Sequence, residues 1–546
     1  MKIQQYKFPL VVILAGILFS LYLQLKIPDG VFFSGDAGLK ALLAQQFSAG
    51  NFRFDLDVPA DQWVRDLWKN GLYPFDEPFV YNRFNQYYIT FPFTFPLVSA
   101  PFHALFGYRG FYIIPLISLW AIWLSFYLAC QRLRLKSLST SIALATLIFA
   151  SPLSIYSATY WEHTLAVALN FQGISTLLIP GSQGLSKKDA ALSGILIGFS
   201  VWFREEILGL VALLCILVYA ASLLMIRRLE FLAKRKEIFV ISMIATIAVF
   251  FGLNTLIYHH PLGMHSVQIV EKFSLLDRLS EGLNNFKEMG GSLFYYFPIA
   301  FFTILYLPFS LVLKKRIKLT LTMKIVYIIC FLFMVAVALM VPSGAGGKQW
   351  GPRFLLVLIP LISLIAIIEL KFIRRIARFG LRYIGLAIFC VLFLIGVYIN
   401  TYQSTDFISD NYQRISPAIQ FLRSRPETVV AMSHQYVAQV LEAGVKNKVF
   451  FKAENAQDLK SLGEALIGQG KQKFIYICYP YRPCEIPEER PDALKFYLKN
   501  QSFTIKLSPL GKFGIYPTYE ALIVKGSEAK AETFEKNQGN LTLSSG

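Results

Sequence analysis

A carboxylate in a helix-like run lies shortly after the first hydrophobic segment of the chain. Asp36 lies in the run FFSGDAGLKALLAQQFSAG, and a positioned carboxylate can act as general base for a hydroxyl or amine nucleophile. Leu39, Leu43 and Phe47 recur behind it at helical spacing, which predicts an amphipathic helix at a membrane interface with Asp36 at its N-terminus. The alternative is that Asp36 only caps this helix, because Asp is a preferred N-cap residue. The two roles are compatible, since a cap also fixes the position of a carboxylate.

Basic residues that suit a phosphate occur at two places further along the chain. Arg204 lies in VWFREEILGL, where FREE interrupts an otherwise apolar stretch, and Lys348 and Arg353 lie in GAGGKQWGPRF. A guanidinium fork binds phosphate oxygens in pairs, and an ammonium group supplies a point charge. We therefore predict that Arg204, Arg353 and Lys348 bind a phosphate. For Arg204 the alternative is a turn closed by a local ion pair with Glu205 or Glu206.

Two pairs of adjacent residues complete the set of candidates. Asp76 and Glu77, in YPFDEPFVYNRFNQYYITF, are flanked by aromatic residues that would cover a lipid chain or stack on a sugar ring, with one acid touching a hydroxyl. The alternative is an interfacial aromatic belt with solvated acids. Glu162 and His163, in SATYWEHTLAVAL, have the types needed to bind a metal or orient a base. The alternative for this pair is a polar helix end.

The composition indicates that these residues are positioned by a membrane protein. Of 546 residues, 55% are hydrophobic, and the mean hydropathy is +0.50. Several apolar runs are long enough to cross a hydrocarbon core. The net charge of +19 would favour nucleic-acid binding in a soluble protein. Here Lys and Arg cluster between apolar runs, as the cytoplasmic anchors of membrane spans do, so a lipid bilayer and not a nucleic acid is the expected partner.

The apolar runs predict about eleven membrane spans. The first, 8–25, lacks a small-residue cleavage site and is predicted to be a retained anchor rather than a signal peptide. Segment 89–107 is interpreted as a membrane-surface or re-entrant piece, because counting it as a span would place the basic run QRLRLK outside. The other predicted spans are 111–130, 140–156, 164–179, 190–203, 207–226, 238–258, 292–313, 326–341, 354–370 and 383–400.

The pattern predicts an all-α polytopic membrane domain over 1–400, with interfacial helices in a first outer loop, 26–110, and a small extracytoplasmic α/β domain over 401–525. The basic clusters place the N-terminus in the cytoplasm and the candidate residues outside. In the second domain, TVVAMSH, KVFF, KFIYICY and FGIYPTYEALIVK predict strands, and AQDLKSLGEALIGQ predicts a helix. Cys478 and Cys484 suit a small disulfide loop in an exported domain. Residues 526–546 are polar and predicted to be disordered.

Together, the candidate residues suit the transfer of a sugar from a lipid phosphate. Asp36 would activate the acceptor, Arg204 and Arg353 would hold the departing phosphate, and the aromatic segment would line a groove for the lipid chain. The chain shows no glycine-rich nucleotide-binding loop. Soluble nucleotide sugars are not expected outside the cytoplasm, so the activated substrate is expected to be carried on a lipid.

The chain resembles the GT-C superfamily of polytopic glycosyltransferases, which includes protein O-mannosyltransferases and aminoarabinose transferases. The resemblance rests on GDAGLKALLAQQFSAG in the first outer loop, the surface-helix segments that follow it, the FREE interruption, and GAGGKQWGPRFLLVLIPLI, in this order and on one side. It implies inverting transfer from a polyprenyl-phosphate sugar, with Asp36 as catalytic acid/base and Glu162 as an acidic partner. The acceptor is a glycan, a lipid or a protein, and the expected location is a bacterial inner membrane. The family often has a pair of acidic residues where this chain has Glu162 and His163, so the use of a divalent metal is left open.

Two other function classes fit a polytopic membrane protein. A transporter or flippase of lipid-linked glycans would also place charged residues at membrane depth, but such proteins usually show internal repeats, and none is evident in this sequence. A non-catalytic scaffold would tolerate Asp36→Asn, because Asn caps a helix nearly as well as Asp does.

Overall fold

The computed structural model describes residues 4–180, 184–224, 229–265, 267, 274–312, 321–341, 349–376, 379–484, 494–498 and 501–526. By packing, these residues divide into two compact units. The first lies within Met1–Asp57, Asp76–Ile419 and Gln439–Val445, and the second within Val58–Phe75, Gln420–Ala438 and Lys446–Gly546. The domain boundaries given above stay predictions.

The first unit is mainly helical. Helix α3 (Gln62–Leu67) belongs to the second unit. The helices of the first unit are α1 (Gln4–Leu25), α2 (Gly35–Ser48), α4 (Thr94–Phe106), α5 (Ile113–Arg132), α6 (Ser137–Phe149), α7 (His163–Leu178), α8 (Lys187–Val201), α9 (Ile207–Leu223), α10 (Glu230–Ala233), α11 (Lys236–Tyr258), α12 (Leu275–Tyr296), α13 (Ile299–Val312), α14 (Leu321–Met340), α15 (Ile359–Ile376), α16 (Phe379–Val397), α17 (Ser404–Ser424) and α18 (Gln435–Leu441). Both α17 and α18 extend into the second unit. The one described sheet of the first unit is the antiparallel hairpin of β1 (Val80–Arg83) and β2 (Gln86–Ile89).

Most predicted membrane spans coincide with a helix, because an apolar run in lipid must satisfy its backbone hydrogen bonds internally. The predicted span 292–313 is divided between α12, which ends at Tyr296, and α13, which begins at Ile299, and the predicted span 140–156 extends beyond the end of α6 at Phe149. Within the described residues, six helical stretches are long and apolar enough to cross a membrane. They are Lys7–Leu25, Thr94–Arg132, Lys236–Tyr258, Leu321–Met340, Arg353–Arg374 and Arg382–Ser424, and Ser137–Phe149 and Ile207–Leu223 are shorter apolar helices. The chain is therefore a multi-pass membrane protein, and the number of eleven spans stays a prediction.

Two helical features were not predicted from the sequence. The helix of the last predicted span, 383–400, does not end near Asn400, because a π-helical turn, Tyr398–Gln403, joins α16 to α17. Helix α12 begins at a capping box formed by Ser274 and Asp277, and it was predicted only in its C-terminal part. Segment 89–107 contains the end of β2 and all of α4, and a 3₁₀ turn, Gly107–Tyr112, joins α4 directly to α5.

The second unit is an α/β domain. It contains α3 (Gln62–Leu67), α19 (Ala456–Gly468), and the strands β3 (Val429–Met432), β4 (Val449–Lys452), β5 (Lys473–Ile477), β6 (Lys495–Leu498), β7 (Gln501–Phe513) and β8 (Tyr516–Lys525). The sheet order is β4-β3-β5-β8-β7-β6, with β3 parallel to β4 and β5 and the other pairs antiparallel. Every residue of β3 is buried, which explains its continuous apolar sequence. The predicted α/β class is thereby confirmed.

Two details of this unit go beyond the sequence patterns, and a third, the disulfide, agrees with them. Strands β6 and β7 were not predicted; in β7, Pro509 and Gly511 interrupt the alternation, and the structure has a register shift between them. The indole of Trp68, from the first outer loop, donates a hydrogen bond to the carbonyl of Phe450 at 3.2 Å, so part of that loop belongs to this unit. Cys478 and Cys484 form a disulfide.

Candidate active site

The position of Asp36 is set by the start of α2. Ser34 is the N-cap: it has an extended backbone, and its hydroxyl accepts a hydrogen bond from the amide of Ala37 at 3.4 Å. Asp36 lies in the first turn of the helix, so the interpretation of this residue as the cap is wrong. Its side chain is 22% exposed, and its Oδ2 accepts a hydrogen bond from Nη1 of Arg353 at 3.4 Å.

Helix α2 is held firmly in the first unit. Nine of its fourteen residues are buried, and it packs against α4. At Gly38 the backbone oxygen of Gln439 comes so close that a Cβ atom would lie 1.8 Å from it. Only glycine permits this approach. The contact therefore fixes the depth of the helix that carries Asp36.

Lys40 lies one helical turn after Asp36 and was not among the residues predicted from the sequence. Its side chain is 3% exposed, and Nζ donates to Oε2 of Glu162 at 2.5 Å. The ammonium also lies 4.5 Å from the ring centre of Phe91 and interacts electrostatically with Asp36. The available signal was a lysine four residues after Asp36 in an otherwise apolar helix, which places both side chains on one face.

Glu162 joins two cations at the N-terminus of α7. Its side chain is 4% exposed, and its other oxygen, Oε1, accepts from Nη1 of Arg204 at 3.2 Å. Burial by itself would raise the pKa of this carboxyl, but Lys40 and Arg204 together hold that pKa below its ordinary value. Glu162 is therefore ionised and engaged on both oxygens. We interpret it as a residue that positions Lys40 and Arg204 rather than one that exchanges a proton.

Arg204 and Arg353 meet at one aromatic ring. The guanidinium carbons of Arg204 and Arg353 lie 5.2 Å and 4.8 Å from the ring centre of Phe354. Arg204 also pairs with Glu206 at 2.6 Å, so the local ion pair named as the alternative is present, together with the contact to Glu162. Burial and the charge of Glu206 raise the pKa of Glu205 to about 8, which favours its neutral form.

Arg353 keeps donor capacity that the described residues do not use. Its Nε is buried and has no hydrogen-bond partner among them. Its contact with Asp36, at 3.4 Å, is longer than the ~2.7–2.9 Å of a strong charge-assisted hydrogen bond. A partly buried guanidinium with an unused, buried donor and one long ion pair is suited to receive an anion.

The predicted residue His163 has aromatic surroundings. It is buried, its ring centre lies 5.2 Å from those of Tyr156 and Trp161, and neither ring nitrogen has a hydrogen-bond partner in the described part of the chain. Burial and the nearby Arg204 and Arg353 lower the pKa of His163 well below its ordinary value, so the imidazole is neutral.

Two further predicted residues lie at the start of the β1–β2 hairpin. Asp76 and Glu77 precede β1; Asp76 is half-buried and Glu77 is exposed. The amides of Phe79 and Val80 donate to the backbone carbonyl of Asp76, which forms a turn. Lys348 lies outside the described residues.

The donor set does not fit a divalent metal ion. Among the residues that the structure describes, no three His, Cys, Asp or Glu side chains are grouped to hold one. Both oxygens of Glu162 already face the cations Lys40 and Arg204, and Asp36 faces Arg353. A further cation between these carboxylates would be repelled, so no reaction step is assigned to a metal.

The first unit is helical and has a loop helix, α2, after its first span, and the second unit is an α/β domain. The chain is similar in structure to ArnT from Cupriavidus metallidurans in the apo state (TM-score 0.50, 12% identity, covering 94% of this chain and 97% of that chain) and bound to undecaprenyl phosphate (TM-score 0.50, 12% identity, 94% and 98%). The oligosaccharyltransferase of Archaeoglobus fulgidus in the apo form also matches (TM-score 0.48, 14% identity, 87% and 70%). No family model and no curated protein sequence matches. The resemblance to the GT-C superfamily is thus confirmed at the level of the fold.

Proposed function

We propose that the protein is a glycosyltransferase that moves a sugar from a polyprenyl phosphate to an acceptor on the outer face of a membrane. The observation that carries this proposal is the 3.4 Å contact between Asp36 and Arg353, which joins a partly exposed carboxylate to a guanidinium with an unused donor. A base and a phosphate-binding group are the two elements that such a transfer requires. The similar ArnT chain binds undecaprenyl phosphate in one of its crystal structures, which supports a lipid phosphate as the donor class.

The proposed reaction is a single displacement. Asp36 accepts the proton of the acceptor hydroxyl or amine while the acceptor atom bonds to the anomeric carbon of the sugar. The bond from that carbon to the phosphate oxygen breaks, and its electron pair leaves with the lipid phosphate. One displacement inverts the configuration of the sugar. Arg353 and Arg204 bind the phosphate as its negative charge grows, and Phe354 keeps the two guanidinium groups close together.

The arrangement of cations follows from their partners. Glu162 holds Arg204 and Lys40 in place, so that these charges need not reorganise when the phosphate leaves. Arg353 is free to exchange its long contact with Asp36 for the phosphate, and this exchange would release Asp36 to act as base. The proposed location is a bacterial inner membrane, with the N-terminus in the cytoplasm and this cluster on the outer side.

The test of the base uses Asp36→Asn in a strain that lacks the natural gene. Deletion is expected to remove one sugar from a cell-envelope glycan, and the wild-type chain is expected to restore it. Asp36→Asn should reduce sugar transfer by about 10²–10⁴-fold, the usual contribution of a positioned acid or base. Asp29→Asn is the matched control, because Asp29 lies in the same loop, is exposed and pairs with Arg109 at 2.8 Å. Transfer near the wild-type level in Asp36→Asn would exclude the proposed role.

The test of the phosphate site uses undecaprenyl phosphate as the probe. Its affinity is measured for the purified full-length protein, for Arg204→Ala and for Arg353→Ala. Each variant should bind at least tenfold more weakly, whereas Arg109→Ala, an exposed arginine outside the cluster, should bind normally. Unchanged affinity in both cluster variants contradicts this assignment. A flippase would bind the lipid phosphate and show no sugar transfer even as the wild type, so the two assays also separate these function classes.

A further inference from the structure

A second site lies at the far end of α7, the helix that begins beside Glu162 of the candidate active site. Helix α7 is 16 residues long, so its last turn lies about 18–24 Å from Glu162 at 1.5 Å per residue. Residues of that last turn, Ile174 to Ile179, line a cavity of about 200 Å³. The cavity continues along α15 from Leu361 to Phe372, and the start of this helix follows the turn that begins at Arg353. It is therefore separate from the cluster around Asp36.

The lining of this cavity is almost entirely aliphatic. Leu361, Leu364, Ile365 and Ile368 line it from α15, and the start of α14 and the connection between α5 and α6 complete the wall. Its few polar members include Ser175, Thr322 and Lys371. An apolar cavity with one ammonium group in its wall suits an amphipathic ligand with an anionic head.

Basic residues flank part of the lining of this cavity. In the connection between α5 and α6, Leu133 and Leu135 line the cavity, and Arg132, Arg134 and Lys136 alternate with them and are exposed. These basic residues belong to the clusters that predict the cytoplasmic side of the membrane. Basic pockets between membrane helices on that side are a recurrent form of site for anionic lipid head groups.

We propose that this cavity binds one acyl chain of an anionic phospholipid from the inner leaflet. The volume of about 200 Å³ is below the ~300–1,000 Å³ of pockets that enclose a drug-sized ligand, so it accommodates part of one chain and leaves the head group outside. The phosphate binds Lys371 and Arg134, and the chain lies against Leu364 and Ile368. The site is structural and does not depend on the proposed sugar transfer.

The experiment measures the retention of lipids by native mass spectrometry of the purified full-length protein. The probes are dioleoyl phosphatidylglycerol and dioleoyl phosphatidylcholine, which have the same chains and differ in net charge. The wild type should retain the anionic lipid at least fivefold better. The double variant Lys371→Gln with Arg134→Gln should lose this preference. Leu364→Trp, which fills the cavity, should lower the retention of the anionic lipid by at least threefold.

Two controls make the outcome specific. Lys188→Gln removes one positive charge on the same predicted side, at an exposed position of α8 outside the cavity, and should keep the preference. Asp36→Asn should also keep it, which separates this site from the proposed function. Equal retention of both probes by the wild type overturns the proposal. A loss of the preference for the anionic lipid in Lys188→Gln as large as in the double variant also overturns it. Displacement of the anionic lipid by equimolar undecaprenyl phosphate would also overturn it and assign the cavity to the donor chain instead.

Discussion

Replacing Lys40 by Met tests whether the buried ion pair with Glu162 holds the site together. Methionine fills a similar volume but leaves the carboxylate with Arg204 as its remaining ion-pair partner, at 3.2 Å. Removing one partner of a buried salt bridge costs about 3–5 kcal/mol, because the other charge stays buried. Since Arg204 still compensates the charge of Glu162, we expect the free energy of unfolding to fall by about 3 kcal/mol, near the lower limit of this range.

A second substitution separates the lost charge from lost packing. In Lys40→Met with Glu162→Gln, no uncompensated carboxylate remains, and Arg204 keeps its contact with Glu206 at 2.6 Å. This double variant should be more stable than Lys40→Met alone by about 1 kcal/mol or more, within the usual range of coupling between contacting residues.

The assay follows unfolding in mixed micelles by circular dichroism as the denaturing detergent is increased. Lys69→Met is the control, because Lys69 is exposed, and its effect should stay within about 0.5 kcal/mol. A loss below about 1 kcal/mol in Lys40→Met, or a double variant no more stable than the single one, would refute the reasoning, since buried unpaired charges carry larger penalties.

Three further predictions concern charge and burial. In the folded protein, Lys40 and Arg204 lower the pKa of Glu162 below 4.5 against the effect of burial. The stability that these ion pairs contribute is therefore present above pH 4.5 and is lost as the pH falls through the pKa of the folded state. Glu162→Gln should remove this loss at acid pH in a series of melting temperatures, and an unchanged pH profile contradicts the prediction. Because the carboxylates already face cations, sugar transfer should persist in excess EDTA, and a loss that added Mg²⁺ or Mn²⁺ restores would show that a metal takes part. Glu369 in α15 is fully buried, and neither carboxyl oxygen has a partner among the described residues, so Glu369→Leu should raise the melting temperature, whereas a lower one would indicate a partner.

The sequence was sufficient for the helical class of the membrane unit. A run of about 20 apolar residues needs no distant partner to become a helix in lipid, because its hydrogen bonds are local. The strands β3, β4, β5 and β8 were likewise predicted from apolar patterns. Strand β7 was not, because Pro509 and Gly511 break the alternation, and only pairing with β8 shows that a bulge accommodates them.

The candidate active site was also predicted only in part. The chemical types of Asp36, Glu162, Arg204 and Arg353 were recognisable from their contexts, but their pairing was not. Lys40 was missed because the apolar spacing of α2 predicted a surface helix, and the structure buries most of this helix. The burial comes from α4 and from α18 at Gln439, which lie far away in the sequence.

The amino-acid sequence by itself determined which segments become helices and which side chains carry charge, since both follow from local composition and period. Only the tertiary structure decided which charges meet. Asp36 and Arg353 are 317 residues apart, and Lys40 and Glu162 are 122 apart. Such contacts form when packing excludes water from several helices at once, and the resulting low dielectric then selects ion pairs that no single segment specifies.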